Sequence, residues 1–187
     1  MSAQNTLVKT VDPEGNWLYR VGGIAAIVLV IGYFLTFPVY GSVGTQPSGA
    51  EALLGYFAEQ AAGWWVIIGL MVFTDLLYVP VWLALYQAVK GIGSNAMRLA
   101  VACVGLFLAL DLAVTWTAYS SLLMLGGNYA AATSDTQRAI FVAAAGYSST
   151  VLDSPLLAIY AILIPSAGFL FAAPVMSKTI FGKGTAL

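Results

Sequence analysis

The chain has no histidine, one cysteine and only 8% charged residues among its 187 positions. Without histidine it lacks the usual proton shuttle, the commonest metal ligand and the usual axial ligand of membrane haem. Cys103 can form neither an internal disulfide nor a thiolate metal cluster, and it reads as a small apolar filler within a helix. A retinal Schiff base would need a lysine within an apolar stretch, yet Lys9, Lys90, Lys178 and Lys183 all lie in polar flanks. Lysine and arginine nowhere cluster, so the footprints of nucleic acid and of an anionic lipid surface are both missing. No nucleic-acid partner is expected.

What is present is apolar side chain, 60% of the residues. A soluble domain carries about 25% charged residues, and a fold of this size in water could not hide so much apolar surface. The opening MSAQNTLVKTVDPEGNW lacks the basic, apolar and small-residue pattern of a secretory signal, so the N-terminus is expected to be retained and the first apolar stretch to act as a signal anchor.

A helix needs about 20 apolar residues to cross the hydrocarbon of a bilayer. That rule predicts an all-α, polytopic transmembrane bundle, a single domain over 1–187, with four spans at about 17–40, 63–89, 97–125 and 155–176. Positive charge decides the count. Lys9 and Arg20 precede the first span, Lys90 and Arg98 flank the loop between the second and third, Lys178 and Lys183 follow the last, and only Arg138 falls on the other side. Both termini are therefore expected in the cytoplasm, in a cell-membrane, multi-pass arrangement.

Two helices are expected to extend at the outer face, over about 49–62 and 135–152, each after a turn-rich loop and with Ser48 and Ser134 placed as caps. Each is followed by a crossing with a deep proline, Pro80 or Pro165, where a bend would open space. The parallel suggests two copies of one unit, although any four-span bundle with long outer loops would look similar. Trp17, Tyr19, Tyr40, Trp64, Trp65 and Tyr86 read as headgroup-level anchors. Trp82 and Trp116 read as interior.

The residues that most need a reason are Asp75 and Asp111. Asp75 precedes Lys90 by 15 positions and Asp111 follows Arg98 by 13. With about 1.5 Å of rise per residue, both lie roughly 20 Å from the inner surface, on consecutive antiparallel helices. Two carboxylates close together in low dielectric cannot both stay ionised at modest cost, so either one keeps a proton or the pair holds a cation. Asp111, Thr115 and Tyr119 follow i, i+4, i+8 spacing and form a polar stripe toward the outer face. Thr74 and Tyr78 add hydroxyls beside Asp75. Asp153, in SSTVLDSP, is a weaker candidate at the outer mouth of the fourth crossing, and its nearness to Pro155 also suits a plain helix end. The alternative for the central pair is structural glue, a protonated carboxyl bonding helices together.

The stretch TDLLYVPVWLALYQAVKG, from Asp75 to Lys90 and the flanking residues, resembles an uncharacterised family of bacterial multi-pass membrane proteins known chiefly as a domain of unknown function. The resemblance implies a fold class and carries no activity. Proteins of that kind often continue into further spans, which leaves open whether the chain is complete at its C-terminus.

Three functional readings follow. The first is a non-enzymatic subunit or small binding module of a membrane assembly, meeting membrane lipids and either copies of itself or partner membrane subunits. The alternative is a proton- or cation-coupled carrier or channel-like protein using Asp75 and Asp111. An enzyme is the third and thinnest, since no metal cluster or nucleophile motif accompanies the carboxyls. No cofactor or metal is expected; a lipid or quinone bound near Trp116 and Asp111 would favour the enzyme.

Overall fold

The computed structural model describes residues 16–178, so Lys9, Lys183 and the opening segment lie outside the described residues. Those described are almost wholly helical, with no strand among them. Helix α1 (Asn16–Val43) leads through an extended turn into α2 (Ala50–Glu59). Helix α3 (Ala61–Leu110) continues through a π-helical turn (Asp111–Trp116) into α4 (Thr117–Ala131). Helix α5 (Asp135–Asp153) precedes a short α6 (Pro155–Ala158), a second π-helical turn (Ile159–Leu163) and α7 (Ile164–Met176).

Three of the resulting rods are long and apolar enough to cross a membrane: Trp17–Val43, Ala61–Ala131 and Pro155–Met176. The middle one has 71 residues, and it is not straight. Gly93 leaves helical geometry at φ −150, ψ 53, and the arms on either side, 61–92 and 94–131, fold against each other. Trp64 stacks on Tyr119 at 4.9 Å, Tyr78 meets Phe107 edge-on at 6.3 Å, and Val89 shares a cluster with Met97. Glycine suits the bend for a packing reason. A Cβ at Gly93 would come within 2.6 Å of a Val175 methyl.

Glycines also set the neighbouring helices. A Cβ on Gly22 would collide with Ala84, and Gly32 and Gly63 face Thr74 and Val43, so α1 runs antiparallel along the first arm. Gly168 faces Ala100, Cys103 and Val104, and with the Val175 contact at Gly93 it lays α7 antiparallel along the second arm. Small residues at such contacts let helices approach closely where no water drives them together. Four of the five described cations, Arg20, Lys90, Arg98 and Lys178, consequently gather at the Gly93 end, and Arg138 stands at the other.

Two apolar clusters fill the interior. The one near Gly93 is built on Trp82, Val89, Met97, Ala100, Val104 and Val175. The other packs α2 against α4, with Leu54, Phe57, Trp64, Trp116 and Leu122 at its centre.

Several expectations change in the structure. Ser48 does not cap α2: the cap position is Gly49, whose φ of 92 lies in the left-handed region that glycine tolerates, with no side-chain bond. Ser134 does cap α5, accepting from the Gln137 amide at 3.3 Å. Trp64 is buried, not a headgroup anchor, because its indole N–H finds the Tyr56 hydroxyl at 2.9 Å and needs no water. Trp65 is exposed, and Trp82 and Trp116 are interior. The polar loop expected between the second and third stretches is instead the single break at Gly93. The backbone stays helical through Pro80, while Pro165 opens α7 directly after a π-helical turn that accommodates its missing N–H.

Candidate functional site

Between the two apolar clusters lies a polar layer. Asp75, 1% exposed, sits on the first arm, and Asp111, 7% exposed, on the second. The Trp116 indole Nε1 donates to Asp75 Oδ2 at 2.8 Å, and the Asp75 side chain is also hydrogen-bonded to that of Asp111. An ionised carboxylate can only accept. A bond between two carboxyls needs a proton on one of them.

The π-helical turn makes this arrangement possible. At roughly 100° per residue, positions five apart on an α-helix point about 140° away from each other. The wider turn over Asp111–Trp116 brings both residues to the same partner, and Thr117 Oγ1 reaches back five positions to the Leu112 carbonyl at 3.1 Å. Such turns within α-helices frequently accompany functional sites. Nothing in the sequence marks the turn. The one available signal is an unexplained tryptophan in an apolar stretch, since a buried indole N–H seeks an acceptor.

The predicted stripe is divided by the same turn. Thr115 is buried beside Asp111 but turns its hydroxyl to Tyr160 Oη at 3.0 Å, tying the second arm to the last helix. Tyr119 belongs to the aromatic cluster, stacked on Trp64 and tilted against Trp116 at 5.8 Å, with a side-chain bond to Gln46. Thr74 bonds to the Met71 carbonyl of its own helix at 2.8 Å, so it lends Asp75 no hydroxyl. Tyr78 instead pairs with Tyr33 of α1, hydroxyl to hydroxyl at 3.2 Å. Tyr33 and Tyr160 are the polar residues that sequence reasoning missed, because both pairings depend on where separate helices dock.

Asp153 stands apart from the central pair. It is the exposed last residue of α5, on the rim of a polar hollow of about 260 Å³ with Gln46, Ser48 and Ser149. The next helix is capped by Ser154, which accepts from the Leu156 amide at 3.2 Å. Among the described residues no three His, Cys, Asp or Glu side chains come together as a metal site would require.

The arrangement sets two carboxyls against each other, one of them held by an indole, between two clusters of apolar side chains. No family model, curated protein or solved structure matches the chain.

Proposed function

We propose that the protein is a four-crossing membrane protein with both termini cytoplasmic, acting as a non-enzymatic subunit or small binding module of a membrane assembly. The observation that carries this reading is its outer surface. Phe34 is 70% exposed and Leu170 73%, and Ile24, Ile27, Phe37, Leu163 and Phe169 stand out with them along α1 and the last rod. Lipid or another apolar helix must cover those faces. The fold-back at Gly93 divides the 71-residue rod into two arms, each long enough to cross, which supports four crossings. The gathering of Arg20, Lys90, Arg98 and Lys178 at one end supports the orientation.

On this reading the Asp75 and Asp111 pair is internal glue, and the protein extracted in mild detergent is expected to run as an oligomer or to carry a crosslinked membrane partner. A monodisperse monomer with no partner crosslinked in cells ends the proposal.

A second reading is favoured by the carboxyl pair itself: a proton- or cation-coupled carrier or channel-like protein. It expects Asp75→Asn and Asp111→Asn each to abolish a pH- or ion-dependent flux in liposomes while helix content is retained. Unchanged flux in both variants removes it.

A further inference from the structure

A crevice of about 280 Å³ opens between α1 and the last rod, with Tyr33, Tyr78, Phe107, Pro165, Ser166 and Phe169 on its walls; Asp75 and Asp111 do not line it. Its lining includes no charged residue. The two phenols bond to each other at 3.2 Å, which uses one hydroxyl proton and leaves the other for a further acceptor. Around these hydroxyls the walls are aromatic and aliphatic. Phe169, whose ring contacts Trp82 at 5.1 Å, is more than half exposed at the mouth.

We infer that this crevice binds the head of a neutral, carbonyl-bearing membrane amphiphile, whose carbonyl accepts from the Tyr33 and Tyr78 pair while its tail stays in lipid. No charged side chain on the walls would hold a charged head, and a pure hydrocarbon would leave the free phenol proton unused. Pockets that enclose a drug-sized molecule run to about 300–1,000 Å³, so this crevice suits one ring or one ester group. The inference rests on the membrane reading above and gives the binding module a ligand class. Two sources share the chemistry, a ring carbonyl as in a quinone and an acyl ester as in a glycerolipid.

The test uses the full chain in nanodiscs of ether-linked phosphatidylcholine, which carry no carbonyl of their own. A benzoquinone with a decyl chain and an ester-linked diacylglycerol are titrated separately, and retention is measured by mass spectrometry of the intact complex. The wild-type chain is expected to retain one equivalent of at least one probe. The Tyr33→Phe, Tyr78→Phe double variant should bind it roughly three- to tenfold more weakly, the weight of one neutral hydrogen bond, at unchanged helix content. If the double variant does not fold, Tyr33→Phe alone carries the same expectation. Preference for the quinone or the ester identifies the source. Retention of neither probe, equal retention by the variant, or a second copy of the chain seated at Phe169 in place of a small molecule overturns the inference. Release of the chain from native membranes by alkaline carbonate would overturn the membrane reading itself, a separate failure.

Discussion

Asp75→Leu is expected to destabilise the fold by several kcal/mol. Each buried polar group left without a partner costs about 1–3 kcal/mol, and the substitution strands two, the Trp116 indole N–H and the Asp111 carboxyl. Asp75→Asn is the informative contrast. Its amide oxygen can accept from Trp116 and its amide N–H can donate to Asp111, so it reproduces a protonated Asp75 with a proton that cannot leave. Thermal unfolding in detergent should show Asp75→Asn near the wild type and Asp75→Leu far below it. Equal loss in both variants would mean that the carboxyl pair does not bond as described.

The second large effect is expected at Gly126, where α4 lies against the backbone of α2. A Cβ there would come within 2.8 Å of the Leu54 carbonyl, 3.1 Å of the Ala58 nitrogen and 3.2 Å of the Phe57 Cβ. Backbone cannot rotate aside as a side chain can, so Gly126→Leu must part the two helices and disturb the cluster around Phe57 and Trp64, at a cost of about 1–3 kcal/mol or more. The neighbouring Gly127 has nothing within 4 Å of such a Cβ. Gly127→Leu, with the same change in helix propensity and bulk, should therefore leave the melting temperature within a few degrees of wild type. A comparable loss at both positions would show that helix propensity, and not the α2 contact, explains the effect.

The level shared by Asp75 and Asp111 was legible because helical rise is nearly constant, so counting from Lys90 and Arg98 places both at one depth. The limits of α5 were legible too, since Ser134 is a local signal that acts within a single turn. Trp116 was not legible as the partner of Asp75, because a π-helical turn changes which residues share a face and composition does not announce it. The Gly93 bend was hidden among polar residues that suit a loop equally well. Ser48 and Trp64 misled for opposite reasons: a good capping residue stood one position too early, and a good interfacial residue found its polar partner, Tyr56, within the protein. Tyr33 gave no sign of importance because its partner sits 45 positions away on another helix.

The sharpness of the Gly93 bend has a consequence for biogenesis. If both arms cross a bilayer as proposed, the single non-helical residue between them leaves no slack for one to enter after the other, and they go in as a pair. Inserted singly, each would carry a bare aspartate into hydrocarbon at about 2.5–3.5 kcal/mol; inserted together, each acid already faces the other.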